Sequence, residues 1–453
     1  MNYLRLKTYN YYPDFQNEDL KRKATTIIEN IRAKNAPGYE HFGFNDLALN
    51  FSHTNIAEIT EFCQLIVDKH ITDLVIFTNT VELDNFKIID DFLFKNDLLT
   101  QRKINFHFFN SDDNVANWFT YFNQISSVFA SQQSAFLYVS LTPFSEAFLN
   151  FILLCLNEFQ QQVGYFRALN NQFLVAKEEV EQQILNLYTL SEHNHKQKHK
   201  LKATDFTHKV DSSRRNHANQ HFYAIVPEQN ILIVPAILHN HFAFFSKTNL
   251  ILAMLKGADL GALLEGYLVG TQDFTARDVE QNLAFKLGYI YSEWKKDKTV
   301  NLLIGSNRIF TGLLNAFAKQ SLVCSFEAKP FFATHTIFPE GVYTYGQYLF
   351  DPNAFNCGVV FELIYEKVDF VLSDEINVKD MNFKIKDNKL SEFTNTINHG
   401  LTITLSNIVT LPLCRITVTD NSELSLGKLI ALLYWTKIYE AYLLNQNPFE
   451  TTN

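Results

Sequence analysis

The sequence predicts an α/β protein made of two doubly wound domains, each with a parallel sheet covered by helices on both faces. Three observations carry this. Short apolar runs of strand length alternate with longer segments of helical periodicity, the alternation comes in two blocks, and a polar, basic break separates the blocks. The chain has 453 residues and a mass of 52.5 kDa, room for two or three units at roughly 150 residues each.

In the first block, Ile56, Ile59, Phe62, Cys63, Ile66 and Val67 fall on one stripe of a helix that follows Asn55. A strand over 74–77 comes next, then a helical pattern holding Val115, Trp118, Phe119 and Phe122. A strand over 135–139, an apolar helix through 148–159, a strand over 173–175 and a helix over 178–190 complete the block. The break, 191–219, is nearly free of apolar residues and reads as a long loop. The second block opens with a strand-like run, 231–236, and an apolar region reaching Leu268. A helix is predicted from Thr275, with Asp278 three residues on as a variant capping box, and with Val279, Leu283, Leu287, Ile290 and Trp294 as its stripe. A strand over 301–304, a helix over 310–317 and a strand over 359–364 follow. The last helix, 422–444, places Leu426, Leu429, Ile430, Leu433 and Ile438 inward. The domain boundaries drawn from this pattern are an N-terminal segment 1–45, a first domain 46–215 that contains most of the basic loop, and a second domain 216–453.

Composition removes several function classes. Hydrophobic residues make up 47% and charged residues 19%, so a real core forms and the chain is not disordered as a whole. Lys+Arg 39 against Asp+Glu 48 gives a net charge of −9, which excludes a globally basic surface for nucleic acid. No apolar run approaches the ~18 residues of a membrane span, and the polar N-terminus carries no signal-peptide segment, so a cytoplasmic location is expected. The 42 Phe far outnumber the 15 Gly. A Phe, Asn, Lys and Ile bias is what an AT-rich bacterial genome produces. The glycine shortage bears on function, because backbone that approaches a phosphate usually needs Gly. The five cysteines form no C-x-x-C pair and read as small buried hydrophobes in a reducing compartment. His193, His195, His199, His208 and His217 lie in or near the break without a Cys or carboxylate cluster, so neither a metal nor another cofactor is expected. Lys196, Lys198, Lys200, Lys202, Arg214 and Arg215 make the same loop cationic; they read as a solvated charge run or as a docking element for an acidic partner.

Several stretches, taken in order, resemble one enzyme family. They are GYEHFGFNDLALN at 38–50, Gln281-Asn282-Leu283-Ala284 with YIYSEWKKDKTVNLLI at 289–304, TYGQYLFDPNAFNCGVVFELI at 344–364 and LSLGKLIALLYWTKIYEAYLLNQNPFE at 424–450. The chain resembles the phosphoglucose (glucose-6-phosphate) isomerase family along nearly its whole length. The resemblance implies two sugar-isomerase (SIS) domains, each an αβα sandwich around a parallel sheet, in agreement with the pattern above. It also implies an aldose–ketose isomerisation through an enediol, which needs a carboxylate base, a cation beside the enediolate and a hydroxyl-rich turn for the phosphate.

At the positions that match those motifs the chemistry has changed. The family's first glycine-rich turn falls on residues 76–84, where no glycine remains. The phosphate turn falls on Ser140-Leu141-Thr142-Pro143-Phe144-Ser145. It keeps hydroxyls at Ser140, Thr142 and Ser145, but Pro143 has no N–H and Leu141 stands where the family has lysine. The position of the arginine is His221, that of the glutamate base Lys319 or Gln320, and that of the histidine Tyr343, although Gly346-Gln347-Tyr348 survive. The family continues to a terminal helix with a catalytic lysine, whereas this chain ends at Asn453, and that helix is expected to be absent. A base alone accounts for roughly 10²–10⁴ in rate and one charge stabiliser about 10²–10³, so the combined loss predicts no isomerase. Glu82, Glu146 and Glu327 lie near the turns as carboxylates that could substitute. The expected function is a catalytically inactive isomerase-like protein serving as a structural or adaptor subunit of a larger assembly, with a cytoskeletal or motility complex as one form. The alternatives are a sugar-phosphate-binding regulator, with Ser140, Thr142, Ser145 and Gln347 as a residual site of weak affinity at most, and a divergent active isomerase of glycolysis. The expected partners are other protein subunits; the family's homodimer leaves the oligomeric state open.

Overall fold

The computed structural model describes residues 4–50, 53–95, 104–196, 226–235, 239–322, 331–349, 356–367, 369–371 and 389–449. In chain order the elements are β1 (Leu4–Tyr9), α1 (Glu18–Arg32), α2 (Gly43–Leu49), α3 (His53–Asp68), β2 (Asp73–Thr78), α4 (Thr80–Ile89), β3 (Asn105–Asn110), α5 (Val115–Gln124), α6 (Ser126–Phe129), β4 (Ser134–Ser140), α7 (Glu146–Val163), α8 (Tyr165–Asn170), β5 (Gln172–Ala176), α9 (Glu178–Lys196), β6 (Ile231–Ile233) and α10 (Lys247–Lys256). They continue with α11 (Leu260–Phe274), α12 (Leu283–Asp297), β7 (Val300–Gly305), α13 (Thr311–Leu322), β8 (Phe332–Ile337), α14 (Val342–Leu349), β9 (Asn356–Tyr365), α15 (Leu390–Asn407), β10 (Leu413–Asp420) and α16 (Glu423–Leu443).

The chain forms two compact units. The larger is built from Met1–Asn50, Asp84–Thr100 and Ala258–Asn453, the smaller from Phe51–Leu83 and Gln101–Gly257. The units are therefore discontinuous, whereas the sequence reading drew contiguous ranges. The pairing of β6 with β5 (Val175 opposite Leu232) holds the segment after the basic break in the smaller unit.

The smaller unit has a five-stranded sheet in the order β3-β2-β4-β5-β6, parallel throughout. β4 and β5 are buried along their whole length and β2 from Leu74 onward, as strands covered on both faces must be. Aromatic rings fill one side: Phe77 lies 5.5 Å from Phe109 and 5.4 Å from Tyr138 in stacked pairs and meets Phe136 edge-on at 5.3 Å. Helices α5 and α7 cover these rings through Trp118, Phe148 and Phe151.

The larger unit has the order β1-β10-β9-β7-β8. Four of its strands run parallel; β1 joins the edge antiparallel to β10, with Leu4 opposite Val418. The parallel sheets and helical layers agree with the fold class read from the sequence. The antiparallel β1 and the strands β3, β8 and β10 were not anticipated, because each is short or interleaved with polar residues.

Three local expectations need correction. The helix expected from Thr275 starts at Leu283, because Asn282 caps it: its Oδ1 accepts the Phe285 N–H at 2.9 Å, while the Asp278 carboxylate closes only a local turn onto Glu280. The loop expected from Ser191 begins later, since α9 runs to Lys196. Helix α16 is buried on every face from Ser425 to Ala441 rather than along one stripe. It packs against α11 and α12, and it carries Lys437 and Glu440 inside. Glu440 takes the Lys295 ammonium at 2.5 Å and that of Lys437 at 3.6 Å. Burial pushes the Glu440 carboxyl up, and the two ammonium groups pull it below the usual range.

Candidate functional site

In the smaller unit the chain leaves β2 to build β3 on one side and later places β4 on the other. The crevice beyond the carboxyl ends of β2 and β4 is therefore a topological switch point, the place where open α/β sheets bind ligands. The connections that flank it are Asn79-Thr80 after β2 and 141–145 after β4.

Asn79 starts α4. Its Oδ1 accepts the N–H groups of Val81 at 3.0 Å and Glu82 at 3.2 Å, and its Nδ2 donates to Ser140 Oγ at 3.1 Å and to Thr142 Oγ1 at 2.7 Å. Ser140 Oγ also accepts the Thr142 N–H at 3.2 Å and donates to the Thr142 carbonyl at 2.5 Å. Glu82, one turn into α4 and 1% exposed, accepts the Leu141 N–H on Oε1 at 2.9 Å. Its Oε2 has no hydrogen-bond partner among the described residues. Gln183 of α9 clamps Phe144 from the other side, accepting its N–H at 2.9 Å and donating to its carbonyl at 3.2 Å. Ser145 caps α7, its Oγ accepting the Phe148 N–H at 3.3 Å. The segment after β3 contributes Asp112, which accepts the Thr80 N–H at 2.9 Å.

An anion at this turn needs N–H donors. Here Leu141, Thr142 and Phe144 direct theirs to side chains of the protein, and Pro143 has none. The group set beneath the turn is a carboxylate. Desolvation pushes the Glu82 carboxyl up to about 7; the Leu141 N–H and Lys177 oppose that rise and Asp112 adds to it. The backbone donors of this turn are thus taken up by side chains of the protein.

The remaining residues singled out in the sequence fall elsewhere. Lys319 and Gln320 are on α13 of the larger unit, where the Lys319 ammonium pairs with Asp84 on α4 and Gln320 is buried. Asn315 also reaches Asp84, at 3.4 Å. Tyr343 stands in the first turn of α14 and is 93% exposed. Gln347 lies in the same helix; its side chain, like that of Lys196 at the end of α9, is outside the described residues, as are His221, Lys198, Lys200, Lys202, Arg214 and Arg215. Asn79, Asp112 and Gln183 had not been anticipated. The signal for Asn79 and Glu82 was present as Asn79-Thr80-Val81-Glu82, a capping pattern at a helix start. Cys63, Cys155, Cys357 and Cys414 are buried free thiols, and burial pushes the Cys63 thiol up to about 12. Among the described residues no group of three or more His, Cys, Asp or Glu is placed to hold a metal ion, and no helix is long and apolar enough to cross a membrane.

No protein-family model matches the chain. Solved structures do. A glucose-6-phosphate isomerase of Chlamydia trachomatis superposes with a TM-score of 0.68 at 9% identity, over 100% of this chain and 86% of the other. The chain shares its fold with a glucose-6-phosphate isomerase. A hypothetical protein of Thermus thermophilus matches with a TM-score of 0.72 at 12% identity, over 99% of this chain and 96% of the other. Likeness at this identity establishes the architecture. Chemistry has to be argued from the residues.

Proposed function

We propose that this protein is a non-catalytic member of the sugar-isomerase fold, retained for its shape as a structural or adaptor subunit of a larger protein assembly. One observation carries the proposal: the turn after β4 commits the backbone donors of Leu141, Thr142 and Phe144 to Glu82, Ser140 and Gln183, and sets a carboxylate where a phosphate would require positive potential. The changes at Lys319, Tyr343 and His221 point the same way, because none of these side chains is a carboxylate base, and the matching arginine and histidine are gone. The purified chain is expected to show no interconversion of glucose 6-phosphate and fructose 6-phosphate in a coupled assay. Titration calorimetry with either sugar phosphate at millimolar concentration is expected to show no heat. Turnover would overturn the proposal; heat without turnover would replace it with a sugar-phosphate regulator.

A specific observation favours a second reading, that of a divergent isomerase. Glu82 sits at the switch point with its carboxyl pushed up to about 7, which suits a general base. Loss of any measured turnover on Glu82→Gln, with the fold intact, would select this reading.

A further inference from the structure

Helix α12 carries a polar face into the interior of the larger unit. Gly288, Tyr291 and Lys295 lie at helical spacing and are buried. A Cβ on Gly288 would lie 2.9 Å from the Thr436 carbonyl oxygen, so α12 and α16 nearly touch there. Two turns on, Lys295 reaches Glu440 at 2.5 Å. Between these contacts the Tyr291 hydroxyl stands beside the Asn301 carboxamide of β7 but closes no hydrogen bond to it. Burial pushes that hydroxyl well above the usual tyrosine range; Asn301 opposes the rise, and Cys414, Glu440 and Cys357 add to it. Tyr291 therefore keeps its proton and acts as an O–H donor. Asn301 is opposite Cys357 in the parallel register, near the start of both strands, so these groups gather at the amino-terminal base of the sheet. The Trp294 ring lies 6.1 Å from that of Tyr291.

Tyr291, Trp294, Asn301 and Thr436 are each at most 4% exposed. Five of their polar atoms, Tyr291 Oη, Trp294 Nε1, Asn301 Nδ2, Asn301 Oδ1 and Thr436 Oγ1, have no hydrogen-bond partner among the described residues. Leaving one buried atom of this kind unpaired shifts the folding equilibrium about tenfold, and native interiors rarely do so. Several in one neighbourhood require a molecule that pairs them. The signs of the groups decide which molecule. An anion would meet the donors of Trp294, Tyr291 and Asn301, but also the Asn301 carbonyl and the Glu440 carboxylate. A cation would meet those two acceptors, but also Trp294 Nε1, which only donates, and the Lys295 ammonium. Neither ion satisfies the set. Water donates and accepts at once, and an interior water makes about three hydrogen bonds.

We propose that the base of the larger unit's sheet encloses an internal water site, in which about two ordered water molecules join Tyr291 and Trp294 of α12, Asn301 of β7 and Thr436 of α16. The waters complete the hydrogen bonding of three elements that approach one another without pairing directly. They sit beside the Lys295–Glu440 ion pair and help to hold α12 and α16 on the sheet.

Magnetic relaxation dispersion of the water signal, which counts long-lived internal waters, and denaturant unfolding of the full chain test this together. Asn301→Leu replaces the carboxamide with an apolar side chain of similar size and should lower the count by at least one. Tyr291→Phe and Thr436→Val each remove a single hydroxyl and keep the side chain's shape. With water pairing these groups, each variant should shift the equilibrium towards the unfolded chain about tenfold. Tyr12→Phe, at an exposed position, should change neither reading. In a dry interior, removing an unpaired hydroxyl is stabilising, so a gain in stability from Tyr291→Phe or Thr436→Val overturns the proposal. An unchanged water count in Asn301→Leu also overturns it, because any loss of stability would then come from direct contacts. Where Asn301→Leu does not fold, Tyr291→Phe gives the same count. All of these outcomes leave the non-catalytic reading untouched, since that reading rests on the turn after β4.

Discussion

The two units reach the same layered plan by different means. The smaller contains two of the chain's fifteen glycines, Gly164 and Gly257, each with positive φ at the end of a helix. Its core is aromatic, and its helices stand off the sheet on rings. The larger unit holds the other thirteen and lets backbone meet backbone. A Cβ on Gly266 would lie 2.1 Å from the Leu424 carbonyl oxygen, and one on Gly427 would lie 2.1 Å from that of Leu263, so α11 and α16 cross in direct contact. Gly266 and Gly427 thus serve helix packing and Gly164 and Gly257 helix ends; neither connection flanking the switch point contains a glycine. The smaller unit, which carries the crevice, has an aromatic core. The larger has close helix packing and a buried ion cluster.

Glu440→Gln should give the largest effect. It removes the carboxylate that the Lys295 and Lys437 ammonium groups share and should lower unfolding free energy by about 3–5 kcal/mol. Denaturant unfolding measures this; a loss under about 1 kcal/mol would mean that the cluster is not what secures the larger unit. Glu82→Gln tests the smaller one. Because the folded-state carboxyl is raised from its ordinary 4.5 to about 7, the folded chain holds that proton more tightly than the unfolded chain. Stability linked to Glu82 is then complete below pH 4.5, is lost as pH rises through 7, and amounts to about 3 kcal/mol. The difference in stability between parent and variant, followed from about pH 4.5 to 8, should show this slope; a pH-independent difference would place Glu82 in a more solvated setting. Gly427→Ala should cost about 1–3 kcal/mol as α11 and α16 part. Gly400→Ala on α15, where nothing lies within 4 Å of the new Cβ, should instead gain about 0.5–1 kcal/mol. Melting temperatures of the pair settle whether contact or helix propensity governs these sites, and equal effects would mean that close helix contact does not govern Gly427.

The strands β2, β4, β5, β7 and β9 were legible because strands buried on both faces read as unbroken apolar runs, and α3, α5, α7 and α13 because their stripes have helical period. Helix α16 misled for the opposite reason: its stripe of Leu426, Leu429, Ile430, Leu433 and Ile438 marks one inward face, whereas its partners surround it and Lys428, Lys437 and Glu440 are buried as well. The crevice was half legible. The sequence marked Ser140, Thr142 and Ser145 as surviving hydroxyls; that two of them serve Asn79 and one caps α7 depends on strand order, which brings residues 79 and 140 together.

By itself the sequence determined the layered α/β class and the poverty in glycine, because periodicity and composition are read without knowing what lies beside what. The tertiary structure decided which backbone donors are taken up by side chains at the switch point, which charges pair inside α16 and which buried polar groups gather at the base of the larger unit's sheet. Each of these is a relation between segments far apart in the chain, and only the packed sheet and its helices fix such distances.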